Sequence, residues 1–162
     1  MKLDYILAGR IVNAHGIRGE VRVQPRDGDP HFLTRFRTFY MEGKPVSPTA
    51  SHVHKSFLLM KLPGVEDMDA ALALKGRDLY IRREDAALPE GEWFDDELLG
   101  LTVVDEAGNH LGELAAVENY PAHKVYTVRG DREYLIPAVK DAFILDIDMD
   151  AGHMTVRVWE GM

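Results

Sequence analysis

Apolar and polar positions alternate along most of this chain. Glu20-Val21-Arg22-Val23-Gln24 sets Val21 and Val23 on one face and Arg22 on the other, the two-residue period of a half-buried strand. Tyr5 to Ala14, with Ile6, Ala8, Ile11 and Val12, reads as another strand with an interruption at Gly9. His15-Gly16-Ile17-Arg18-Gly19 joins the two as a turn, its glycines able to take positive φ. Asp29 and Pro30 are the N-cap and first residue of a helical turn reaching toward Phe36. Strands are predicted at Arg37 to Met41, Lys55 to Leu62 and Asp78 to Arg82, with Glu42 to Pro45 as a turn. The period changes once. Val65, Met68, Ala71, Leu72 and Lys75 recur at three- and four-residue steps, acids crowd the start and Gly76 follows the end. One short helix near residues 66–75 is the expectation.

Beyond Pro89 the alternation resumes in three hairpins. Leu101–Asp105 and His110–Leu114 flank Glu106 to Asn109, and Lys124–Val128 and Glu133–Pro137 flank Arg129 to Arg132. The third pairs Ile144–Ile147 with Met154–Trp159. Short strands at this spacing with a single helix predict a mainly β protein of two small antiparallel β-barrels. The boundary falls in Pro89 to Gly100, where Trp93 and Phe94 stand side by side among acids. The domains expected are therefore residues 1–88 and 89–162. The aromatic pair reads as a hinge in a core or an exposed grip, with one ring expected to anchor the linker and one to face out.

Charge sharpens that division. Residues 1–88 hold 14 Lys/Arg against 11 Asp/Glu, a net of +3, and residues 89–162 hold 5 against 16, a net of −11. The overall −8 therefore hides one mildly basic and one strongly acidic half. There is no cysteine, which excludes disulfides, thiolate metal sites and Cys nucleophiles. The apolar run near the start is too short for a signal peptide or a bilayer span, so a cytoplasmic location is expected.

The search for chemistry is mostly negative. None of the three serines, Ser47, Ser51 and Ser56, lies in a nucleophile elbow, and no phosphate-cradling glycine motif occurs. His52 and His54 share a strand face without an evident third ligand, so no metal is expected. Asp146 to Asp150 opens like a calcium loop, but Ala151 and Arg157 stand where a glycine and a glutamate are needed. Gly16-Ile17-Arg18-Gly19 is a poor match to a KH clamp, which joins helices rather than strands. Residues 9–37 do carry Arg10, Arg18, Arg22, Arg26, Arg35 and Arg37 without a lysine. Such composition suits bidentate grip of phosphate or carboxylate, and equally a solvated barrel face. An acidic half would be steered toward a basic protein, and together the halves suggest an adaptor on a ribonucleoprotein.

Gly9-Arg10-Ile11-Val12-Asn13-Ala14-His15-Gly16-Ile17-Arg18-Gly19-Glu20-Val21-Arg22-Val23 resembles the opening signature of the bacterial RimM ribosome maturation factor family. The resemblance continues through Val65 to Ala71, Leu74 to Gly76, Leu98 to Val103 and Tyr134 to Val139. It implies an N-terminal RimM barrel of the translation-factor type, a C-terminal PRC barrel and no cofactor. It also implies a non-enzymatic assembly factor for the small (30S) subunit, acting in head maturation and 16S rRNA processing and binding the head protein numbered nineteen. Paired tyrosines that the family ties to ribosome association match Trp93 and Phe94, which keep the aromatic area and lose both hydroxyls. Arg10, Arg18 and Arg22 are the candidate RNA contacts of the other barrel, and a monomer is expected. The competing readings are a flavin-binding barrel enzyme and a PRC-type interaction module of another complex. The first has no phosphate-cradling motif in its favour, and the second would lack the N-terminal signature.

Overall fold

A computed structural model describes residues 1–159. The chain divides into two compact units, Asp4–Ala87 and a second from Leu88 onward that includes Met1–Leu3.

The first unit is built on one sheet. Its strands are β1 (Tyr5–His15), β2 (Glu20–Pro25), β3 (Phe39–Met41), β4 (Lys44–Val46), β5 (Ala50–His54), β6 (Phe57–Lys61) and β7 (Asp78–Arg82), in the order β4-β3-β7-β1-β2-β6-β5. β1 is long because it pairs with both β2 and β7, and its register shifts near Gly9 and Val12. Gly9 is required there. A Cβ would lie 2.6 Å from the Gln24 carbonyl oxygen. Val21, Val23, Leu58 and Met60 are fully buried on the inner face, with Ile11, Leu79 and Ile81. The predicted alternation of β2 holds.

Three short helices belong to this unit. α1 (Pro30–Leu33) has the expected Asp29 cap, whose side chain accepts from the His31 N–H at 3.0 Å. α2 (Met68–Leu72) is shorter than the helix expected over 66–75. Asp67 caps it, accepting from Ala70, and Leu74 and Lys75 then bond back only three residues, tightening the last turn. Its only buried residue is Ala71, and Met68 and Leu72, though spaced at a helical period, are exposed. α3 (Arg83–Ala86) follows β7 and ends on Ala87 in the left-handed region.

The second unit opens with α4 (Asp95–Leu98) and continues with β8 (Thr102–Val104), β9 (His110–Asn119), β10 (Lys124–Arg129), β11 (Glu133–Pro137), β12 (Ile144–Asp148) and β13 (His153–Val156). The sheet order is β11-β10-β9-β8-β13-β12. All three predicted hairpins form, but β13 also lies beside β8 in a parallel ladder, so this sheet is not purely antiparallel. β9 runs past Leu114 to Asn119, where its register against β10 shifts between Thr127 and Val128. Val103, Leu114, Val128, Ile136, Met154 and Val156 form the sealed centre of the core.

Candidate functional site

The arginines of the first unit are held in different ways. The β1–β2 turn presents Arg18 to solvent between Gly16 and Gly19, both at positive φ. Gly19 packs so closely on the segment before α2 that a Cβ would meet the Val65 carbonyl oxygen at 2.3 Å. This fixes the turn carrying Arg18. Arg10 is exposed but engaged, its Nε donating to Asp78 at 2.8 Å, and that bond holds the guanidinium pKa above its usual value.

Arg22 departs from the expectation of an outward, solvated side chain. It is half-buried, its guanidinium carbon stands 5.3 Å from the centre of the Phe57 ring, and Nη2 meets His15 Nδ1 at 3.3 Å. Arginine can only donate, so in this contact His15 Nδ1 is the acceptor. The Arg22 Nε is buried and has no hydrogen-bond partner among the described residues. His54 joins the group, its ring centre 5.4 Å from that of His15. His15, His54 and Phe57 were not singled out together from the sequence, because pairing of β5 with β6 and of β6 with β2 is what assembles them. Among the described residues no group of three or more His, Asp or Glu side chains could hold a metal ion.

The aromatic pair sits in the second unit. Trp93 is half-buried against the core that includes Leu98 and Leu101, and Phe94 is half-buried at the N-cap of α4. Neither ring is fully sealed or fully presented. Behind them Glu97 is completely buried, its Oε1 accepting the Phe94 N–H and its Oε2 the Leu3 N–H, each at 2.9 Å. Two charge-assisted bonds to main chain explain how a carboxylate tolerates this burial. Asp95 meets Lys124 Nζ at 2.7 Å. Tyr126 lies in the core, and burial, then the charge of Asp95, pushes its hydroxyl pKa up to about 12.

The acids of this unit are mostly at turns and strand ends. Asp105 caps the β8–β9 hairpin through the Ala107 and Asn109 N–H groups and the Asn109 side chain, which hold its carboxyl pKa below the usual value, the Asn109 side-chain bond first among the causes. Arg132, just before β11, stacks on Tyr134 of that strand at 4.2 Å, and Leu135 is 54% exposed.

Comparison with known proteins matches both units. The RimM N-terminal domain model matches residues 6–86, and the RimM PRC barrel domain model matches residues 95–162. The chain belongs to the RimM family. It is 37% identical over 155 residues to the ribosome maturation factor RimM of Clostridium perfringens, covering 95% of this chain and 93% of that protein. The RimM of Geotalea uraniireducens is 38% identical over 167 residues, covering 98% and 95%. A crystal structure of a 16S ribosomal RNA processing protein RimM from Pseudomonas aeruginosa is 30% identical, covers 97% of this chain and 98% of its own, and superposes with a TM-score of 0.47. The expected fold stands: mainly β, with a RimM N-terminal domain and a PRC barrel.

Proposed function

We propose that the protein is an assembly factor for the small (30S) ribosomal subunit, acting in maturation of the subunit's head and in 16S rRNA processing. The observation that carries this reading is end-to-end similarity to proteins described as ribosome maturation factor RimM. The opposite charge of the two halves adds a division of labour. The half after residue 88, at −11, attracts a basic ribosomal protein of the head, the one numbered nineteen, and repels RNA. The half before it, at +3 with its arginine-bearing hairpin, faces nascent rRNA. We take residues 1–88 and 89–162 as two domains with these separate tasks, in a cytoplasmic monomer.

The mechanism is binding alone. Partner stabilisation and steering place a basic protein against folding rRNA, and no bond is made or broken. Trp93 and Phe94 contribute apolar area to ribosome association, since neither ring carries a hydroxyl. Co-sedimentation tests the proposal. The protein is expected to pellet with immature small subunits in preference to mature ones, and to bind the isolated head protein. Equal pelleting with both, together with indifference to the head protein, overturns it.

A further inference from the structure

Register places a specific set of side chains on the outer face of β1, β2, β6 and β5. Directly paired residues point to the same side of a sheet. Asn13 pairs with Arg22, Arg22 with Leu59 and Leu59 with His52. His15 pairs with Glu20, Glu20 with Lys61, and Phe57 with His54. One face therefore carries Arg22, Lys61, Glu20, three imidazoles and the Phe57 ring around a buried Leu59, opposite the face of Val21, Val23, Leu58 and Met60.

Its charges are not balanced in pairs. Lys61 Nζ is taken up by Glu66 at 3.2 Å and by the Val65 carbonyl, and Arg10 by Asp78. Among the described residues Arg22, though half-buried, has no carboxylate within ion-pairing distance, and its one hydrogen-bond partner is the His15 ring. A partly desolvated guanidinium without a counter-charge favours an anion with a flat pair of oxygens. Beside it are half-buried Phe57 and the exposed rings of His52 and His54, surfaces on which unpaired bases stack.

We propose that this face binds single-stranded RNA, with the Arg22 guanidinium taking a backbone phosphate and the His54 and Phe57 rings taking adjacent bases. The inference rests on the ribosome-assembly reading and names the RNA-binding site within it. A base-paired helix offers phosphates but no free base faces, and an acidic peptide offers carboxylates without rings, so both bind less well.

The test is fluorescence anisotropy of the full-length protein with a labelled single-stranded RNA of mixed sequence over a salt series. Arg22→Gln is expected to weaken binding about tenfold and to lower the salt slope by about one. His54→Ala is expected to weaken it about fivefold with the slope unchanged. Lys44→Gln, which removes an exposed cation on β4 at the opposite end of the sheet, leaves affinity as it was. Circular dichroism reports folding, and if Arg22→Gln is unfolded, Arg22→Lys serves, keeping the charge and losing the fork. Unchanged affinity in the folded Arg22 variant overturns the site, as does equal competition by duplex RNA or by an acidic peptide. Failure of the broader reading looks different: wild-type protein then pellets equally with immature and mature subunits while Arg22-dependent RNA binding persists.

Discussion

The Glu97 carboxylate accepts the main-chain N–H of Leu3 at 2.9 Å, a bond between residues 94 positions apart. With its other oxygen on the Phe94 N–H, Glu97 fastens the start of the chain to the first turn of α4.

Replacing Glu97 with Ala leaves two partly buried donors without their acceptor, and is expected to destabilise the second unit by about 2 kcal/mol. Glu97→Gln keeps one acceptor and costs about half as much. Urea unfolding followed by tryptophan fluorescence measures both. Equal stability of Glu97→Ala and the wild type would show that the two bonds contribute nothing net.

Gly112 and Gly130 lie back to back where β9 meets the end of β10. A Cβ on Gly112, at φ +147, would lie 2.1 Å from the Arg129 carbonyl oxygen, and one on Gly130 would lie 2.1 Å from that of Leu111. Gly112→Ala is therefore expected to cost about 3 kcal/mol or more, since backbone has to move. Gly108→Ala, at positive φ in open space, costs about 1 kcal/mol. Thermal unfolding of the two variants gives the contrast.

Much of the fold was legible in local pattern. The Asp29-Pro30 cap, the alternation of β2 and the β10–β11 hairpin each rest on residues adjacent in sequence. Features set by distant pairing were not. Asp95-Asp96-Glu97 reads as three solvated acids, yet Glu97 is buried because Leu3 and Phe94 bring it donors. Met68 and Leu72 obey a helical period and remain exposed, because α2 is too short to press a full face onto the sheet. Arg22 alternates as an outward residue, and its position over Phe57 depends on the β2–β6 register.

Tyr126 gives a prediction at high pH. Its folded-state pKa, raised to about 12 by burial and then by Asp95, lies above the unfolded value near 10. The folded state thus holds the proton more tightly. That contribution is complete below pH 10 and is lost as pH rises through about 12. Tyr126→Phe is expected to flatten the fall in stability across this window, measured by denaturant unfolding at successive pH values.

Trp93 and Phe94 need a folding control before any binding result is interpreted. Trp93 packs on the core of its unit, so Trp93→Ala is expected to lose about 2 kcal/mol, and Trp93→Phe less than about 1 kcal/mol. A pull-down of small subunits from lysate with the Trp93→Ala/Phe94→Ala pair then separates two cases. Lost association with the fold intact assigns the rings to the ribosome interface, and a lost fold assigns them to the core.

The parallel ladder between β8 and β13 also dictates an order of events during synthesis. Thr102 to Val104 lie beside His153 to Thr155, about fifty residues later. One edge of β8 therefore stays open on the nascent chain until residues through Val156 have left the exit tunnel, and nonlocal closure of this kind is slow. The strands of the first unit all precede Arg83. They can pair co-translationally, so the arginine-bearing hairpin matures ahead of the acidic sheet.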